Sequence, residues 1–155
     1  YTYVEVERGK GGKRQLQRID PADAEFVSEF FHGSDPSAFI FSRSKLNNKI
    51  NLHALRREHA QAMYRSYVQR MKADPNYRAQ LLYEVREAFL RAGEDWSTNR
   101  DMRRIHTPYF CRSGVRSSME ANGRAIRYDR LALMAVSVFH LAHWRADVTV
   151  KNYMQ

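Results

Sequence analysis

The chain has 155 residues, about the size of one folded domain, so we expect a single hydrophobic core. Its 26 Lys and Arg exceed its 17 Asp and Glu by a formal net charge of +9, which favours nucleic acid as the partner, with an anionic membrane surface second. Because no apolar stretch could span a bilayer and one cysteine, Cys111, allows neither an internal disulfide nor an obvious zinc site, we expect a soluble cytoplasmic protein without membrane, metal or cofactor.

The N-terminal part of the sequence predicts a β-hairpin and a short helix. Residues 1–7 and 15–19 alternate apolar or aromatic with polar side chains, and the basic, Gly-rich run 8–14 supplies the turn between them. Asp20, which precedes a proline, is a helix N-cap signature, so we predict a helix over about 21–32.

The centre of the chain predicts two longer helices and then an irregular region. Residues 51–71 favour a helix, and residues 75–93 carry apolar side chains at spacings of three and four. From about 95 to 128 the helical period fades. There, 107–111 and 124–128 predict two short strands on either side of a polar, Gly-containing loop.

The C-terminal part of the sequence predicts two further helices. Asp129 can cap a helix that contains the apolar run 131–139, and a last short helix would cover residues 147–153. The predicted fold is therefore mainly α with a small β component (α+β).

Three separated segments resemble, in the right order, motifs of the tyrosine recombinases, the DNA strand-exchange enzymes of phages and transposons. Lys10, in a Gly-Lys-Gly sequence, is similar to the hairpin lysine that reaches into the DNA minor groove. His53 and Arg56, near the start of the predicted 51–71 helix, resemble the His-x-x-Arg box. The resemblance implies the catalytic-domain core of that family, with an N-terminal β-hairpin.

The third segment carries the expected nucleophile. His143 stands ten residues before Tyr153, which resembles the Leu-Gly-His segment and the nucleophile helix of the family, with Ala142 in place of the glycine. Taken alone, each of these residues is more commonly a surface or core residue, and Tyr153 is one of nine tyrosines. Their occurrence together and in order favours the family.

The resemblance also implies a chemical role for each residue. Tyr153 would attack the scissile phosphate and form a 3′-phosphotyrosine bond, which leaves a free 5′ hydroxyl and needs neither ATP nor metal. Arg56 offers two N–H groups to the phosphate oxygens, and His53 and His143 can add donors or shuttle a proton. Lys10 would protonate the departing 5′ oxygen, and a base such as His53 would help to remove the tyrosine proton.

The chain departs from compact members of the family in its length between the motifs. About ninety positions separate His53 from His143, so residues of about 72–127 are interpreted as an insertion. A rarer subset of the family has an insert that ends in a series similar to Tyr109-Phe-Cys-Arg112, Gly123 and Tyr128-Asp129. In a competing alignment, Tyr109 to Arg112 followed by Gly123 would itself be the second box.

The chain begins inside the hairpin, so residues 1–155 are expected to be a partial catalytic domain. The family's first catalytic arginine and its core-binding domain would precede it, and the isolated chain should bind DNA weakly. The expected partner is duplex DNA, bound by a homotetramer of the full-length protein. Two alternatives remain: a non-catalytic DNA-binding or regulatory module on a recombinase scaffold, and a small basic helical domain that binds RNA or an acidic protein.

A run of arginines in the predicted insertion has two readings. It could follow DNA phosphates, or it could be a solvated charged face. Its members are Arg100, Arg103, Arg104, Arg112, Arg116, Arg124 and Arg127.

Overall fold

The structure is a computed structural model that describes residues 1–7, 14–35 and 51–154. Lys10 and the rest of the predicted hairpin tip lie outside the described residues. The described part is mainly helical, with two small antiparallel sheets, and this confirms the predicted α+β class. Its elements in chain order are β1 (Tyr3–Val6), β2 (Gln15–Arg18), α1 (Ala24–Phe31), α2 (Leu52–Ala73), α3 (Tyr77–Arg91), β3 (Tyr109–Phe110), α4 (Ser113–Ala121), β4 (Arg127–Tyr128), α5 (Arg130–Val136) and α6 (Ala146–Tyr153).

The predicted hairpin is present, and Arg18 of β2 connects its base to the rest of the molecule. β1 and β2 pair antiparallel, with Tyr3 opposite Arg18. Arg18 is 5% exposed, and its guanidinium lies between the rings of Tyr1 and Phe139, at 3.9 and 3.8 Å from their centroids. It also forms an ion pair with Glu84 of α3 at 2.9 Å. The hairpin base is thereby joined to two parts of the core.

The core surrounds α5. All seven residues of this helix are buried, and α5 packs against α2, α3 and α6. Apart from Arg130, every residue of α5 is apolar, and such a helix is stable only where other elements cover it. Asp129 begins the helix as predicted, because its side chain accepts a hydrogen bond from the Ala132 N–H at 3.0 Å. In the described ranges we found no helix with the length and apolarity needed to cross a membrane.

The region between α3 and α5 differs from its prediction in one respect. The two short strands are present as β3 and β4, but the loop predicted between them is wrong, because residues Ser113–Ala121 form α4. The segment contains serines and a glycine, which indicate a loop, and its helix is stabilised by packing of the buried Met119 into the core.

The residues interpreted as an insertion belong to the same hydrophobic core as the rest of the chain. They contribute one set of buried side chains from α3 and another from the segment that follows it. These residues are Leu81, Val85, Phe89, Met102, Ile105, Tyr109, Cys111 and Met119. Removing the whole region would therefore expose one side of α5.

Candidate active site

Three of the residues predicted to be catalytic, Arg56, His143 and Tyr153, lie together beside the end of α6. The Tyr153 hydroxyl is 3.1 Å from His143 Nε2, a hydrogen-bonding distance. The Arg56 guanidinium carbon lies 5.8 Å from the centre of the Tyr153 ring. Arg56 is held there by a 2.7 Å hydrogen bond from its Nη2 to the carbonyl of Leu141. The fold thus brings the start of α2 to the end of α6.

The backbone around Tyr153 is held from two sides. Gln61 of α2 donates a hydrogen bond to the Tyr153 carbonyl at 3.0 Å, and the Tyr128 hydroxyl donates to the Met154 carbonyl at 3.4 Å. These bonds supply donors to carbonyls at the end of α6, because carbonyls at the end of a helix have no N–H partner within the helix. With its ring buried and 5% of the residue exposed, Tyr153 is fixed in direction toward His143.

His143 lies in a tight loop with an unusual backbone. α5 continues into a π-helical turn, Ser137–Leu141, and then Ala142 and Trp144 both adopt left-handed conformations, with φ of 55° and 57°. Such a conformation costs a non-glycine residue roughly 1–2 kcal/mol, so other contacts must hold it. Ser137 supplies two of them: its carbonyl accepts from the His143 N–H at 3.1 Å, and its hydroxyl accepts from the Arg145 N–H at 2.9 Å. The left-handed backbone at Ala142 explains why a glycine would suit this position.

Two polar side chains from the predicted insertion, the buried Asp101 and the half-buried Asn99, hold the segment between His143 and α6. Asp101, which is 2% exposed, accepts a hydrogen bond from the Ala146 N–H at 3.1 Å and one from Arg130 at 2.6 Å. Asn99 donates to the Trp144 carbonyl at 3.1 Å. We call Asn99 and Asp101 the α6 clamp. Neither residue could be predicted from the sequence, since both lie in or beside an arginine-rich run and no local pattern marks them.

The other two predicted site residues are His53 and Lys10, and no described contact joins either of them to Tyr153. His53 is exposed and lies one helical turn before Arg56, at the start of α2, and the structure gives it no hydrogen bond to Tyr153. The histidine in contact with the phenol is therefore His143. Lys10 lies outside the described residues. In the competing alignment the arginine of the box would be Arg112, but the described contacts place Arg56 beside Tyr153.

A second group of polar residues extends from the hairpin to α2. His140 is buried, and its two ring nitrogens contact His59 Nε2 at 3.1 Å and the Tyr67 hydroxyl at 3.0 Å. Arg18 donates to the same hydroxyl at 3.4 Å. Since a guanidinium can only donate, the Tyr67 hydroxyl donates to His140 Nε2, and the Nδ1–H of His140 donates to His59 Nε2. The hydrogen bonds therefore all run in the same direction, from Arg18 through Tyr67 and His140 to His59.

The protonation state of His140 follows from its surroundings. Burial, together with the neighbouring His59 and the positive charge of Arg18, lowers the pKa of His140 to about 3. His140 is therefore neutral near pH 7. The sequence analysis left both His59 and His140 unassigned, because their spacing suggested no ligand set.

Comparison with known proteins adds no relative. The chain matches no protein-family model, and the searches among curated proteins and solved structures returned no match. Within the described ranges, no three His, Cys, Asp or Glu side chains are grouped as metal ligands would be.

Proposed function

We propose that this chain is the catalytic part of a tyrosine-type DNA recombinase, which cuts and rejoins duplex DNA through a covalent 3′-phosphotyrosine intermediate. The observation that carries the proposal is the contact of the Tyr153 hydroxyl with His143 Nε2 at 3.1 Å, with the Arg56 guanidinium beside the same ring. Arg56, His143 and Tyr153 belong to two motifs that lie far apart in the sequence. Their convergence is what a shared site requires.

Cleavage would proceed by displacement at phosphorus. The Tyr153 oxygen attacks the phosphorus atom, and its proton passes to His143 Nε2, which lies within hydrogen-bonding distance. The bond from phosphorus to the 5′ oxygen breaks, and that oxygen takes a proton from Lys10. In the reverse step a 5′ hydroxyl attacks the phosphotyrosine and Tyr153 leaves. One ester bond replaces another in each direction, so no external energy source is needed.

Arg56 and the start of α2 would bind the phosphate. One N–H of Arg56 donates to the Leu141 carbonyl, and the opposite edge of the planar guanidinium can donate to two phosphate oxygens. The N-terminus of α2, where Asn51 accepts a hydrogen bond from the Ala54 N–H at 3.0 Å, adds a partial positive charge. His53 lies in the first turn and supplies a further donor. Since Tyr153 is buried, the phosphate would approach past Arg56 and His143.

A nicked duplex that loses a short strand on cleavage tests the proposal, because the covalent adduct then accumulates. We expect the encoded protein in its full length to form the adduct and Tyr153→Phe to lose it. Tyr83→Phe, an exposed tyrosine of α3, is the matched control and should keep it. An adduct that survives in Tyr153→Phe refutes the nucleophile. Duplex binding without any adduct supports the non-catalytic alternative, and binding without duplex preference supports the RNA or acidic-protein alternative.

A second substrate tests Lys10. When sulfur replaces the bridging 5′ oxygen, the leaving group departs as a thiolate and needs no general acid. We expect Lys10→Ala to slow cleavage of the normal duplex by about 10²–10⁴-fold and to cleave the sulfur-containing duplex at close to the parental rate. Lys13→Ala is the control from the same basic run. Equal losses on both substrates would contradict the role of Lys10 as an acid.

A further inference from the structure

The ribbon formed by β3 and β4 has one buried and one exposed face. Tyr109 pairs with Tyr128, and Phe110 pairs with Arg127. Tyr109, Tyr128 and Cys111, which comes directly after Phe110, are at most 8% exposed, whereas Phe110 is 59% exposed. Because cross-strand partners lie on the same side of a ribbon, Phe110 and the exposed Arg127 share the outer side, and the exposed Arg112 lies just beyond the end of β3 at its edge. We call these three residues the ribbon face.

The ribbon face carries positive charge that the surrounding protein does not neutralise. In the predicted insertion the described acidic groups nearby are already paired: Asp101 with Arg130 at 2.6 Å, and Glu120 with Arg116 at 3.0 Å. No salt bridge among the described residues involves Arg112 or Arg127. Unpaired guanidinium groups beside an exposed aromatic ring are suited to phosphate and sugar contacts.

The ribbon lies next to the helix that carries Tyr153. Its buried face contacts the end of α6, where the Tyr128 hydroxyl donates to the Met154 carbonyl at 3.4 Å. At its edge, Arg112 and Lys151 line the same narrow cleft between ribbon and helix. The acidic residue of that cleft, Asp147, already forms an ion pair with Arg145 at 2.8 Å. The ribbon and α6 therefore each contribute one basic side chain to this cleft.

We propose that the ribbon face is a second DNA-contacting surface, which binds phosphates of the duplex beside the one that Tyr153 attacks. This inference depends on the proposed function, because it takes the same duplex as ligand. Arg112 and Arg127 bind backbone phosphates, and Phe110 packs against the sugar edge. Such contacts fix the position of the duplex without reading its sequence.

The salt dependence of duplex binding tests the ribbon face. Each phosphate contact contributes about 0.9 to the slope of log K against log salt, so Arg112→Gln with Arg127→Gln should reduce the slope by about 1.8. Arg65→Gln with Lys72→Gln removes the same charge from an exposed side of α2. These two residues lie about 160–180° around the helix from Arg56, at about 100° per residue, and should leave the slope within about 0.5 of the parent.

The outcomes separate this inference from the proposed function. If the two double variants change the slope equally, or if the ribbon variant leaves it unchanged, the ribbon face does not contact DNA. If the parent still forms the covalent adduct in either of these cases, the proposed role of Tyr153 stands without the ribbon face. If the parent binds duplex DNA and the ribbon variant alone loses slope, the ribbon face is a DNA contact even in a protein that forms no adduct. A parent without duplex binding overturns both.

Discussion

His143 and Tyr153 come from a buried part of the chain with strained backbone, whereas His53 and Arg56 lie exposed at the start of a capped helix. The first pair is held by hydrogen bonds from Ser137, Gln61 and the α6 clamp. Among the described residues, the Arg56 guanidinium donates a hydrogen bond to one carbonyl, that of Leu141. Under the proposed function, Tyr153 would be positioned before the substrate binds, whereas Arg56 would complete its contacts only with the bound phosphate. Substitutions should therefore affect the two halves differently.

The largest expected effect is on the buried half. Asp101→Ala leaves Arg130 without its charge partner in the core and removes the acceptor for the Ala146 N–H, so we expect a loss of about 3–5 kcal/mol in the free energy of unfolding. Urea denaturation measures it. Adding Arg130→Met should recover part of the loss, because the unpaired charge is gone. A loss below about 1 kcal/mol would show that the clamp does not hold α6.

Substitution of Arg56 should affect chemistry without comparable loss of stability. In the proposed mechanism the Arg56 guanidinium stabilises the transition-state charge, so its removal should slow adduct formation by about 10²–10³-fold. Arg56→Lys should not restore the rate, because lysine cannot make the same two-point contact with the phosphate. The free energy of unfolding should fall by only about 1 kcal/mol, for the hydrogen bond to Leu141. The neighbouring exposed Arg57→Ala is the control. A loss of activity that merely follows a fall in melting temperature would contradict the distinction between the halves.

The pH dependence of stability should reveal His140, which joins the two halves through His59 of α2. Its pKa of about 3 in the folded state lies below the usual 6.5, so the unfolded chain binds a proton that the folded chain does not. The stabilisation is present above pH 6.5 and is lost as the pH falls toward 3. Between pH 7.5 and 4.5 we expect a loss of about 2.5 kcal/mol from this group.

The variant His140→Gln isolates that contribution from those of the carboxyl groups. Its free energy of unfolding should fall less than that of the parent over the same pH range, by about the same 2.5 kcal/mol. Parallel pH curves for the two proteins would mean that His140 titrates normally in the folded chain.

The smallest expected effect concerns backbone strain next to His143. Ala142→Gly should raise the free energy of unfolding by about 1 kcal/mol, because glycine adopts the left-handed conformation without a steric penalty. Ala79→Gly, at an exposed position within α3, should have the opposite sign and a similar size. Thermal unfolding of both variants measures the difference. If Ala142→Gly instead lowers the free energy of unfolding, the left-handed conformation of Ala142 does not destabilise the fold.

Local sequence signals predicted most elements because they act within one or two turns. Asp20 and Asp129 were predicted to begin helices, and each accepts a hydrogen bond from a backbone N–H two or three residues later. α4 was missed for the opposite reason. Its local signal indicates a loop, and the burial of Met119, which favours the helix, depends on elements distant in sequence.

The same distinction applies to the candidate site. Motif order identified Arg56, His143 and Tyr153, and the structure brings these three together, while the catalytic roles of the predicted residues remain proposals. His53 was the expected base, but the phenol contacts His143 instead. Which of two histidines faces a phenol depends on how a loop and a helix end are oriented, and residue spacing carries no information about that.

By itself, the sequence determined the net positive charge, the residues worth testing, and the type and approximate extent of the hairpin and of the helices other than α4. The tertiary structure decided that Asp101 supports α6 and that Arg56 binds the carbonyl of Leu141. Each of these contacts joins residues at least 45 positions apart. Caps and periodicity reflect interactions along the chain, whereas these contacts exist only because packing around the buried α5 brings distant segments within hydrogen-bonding distance.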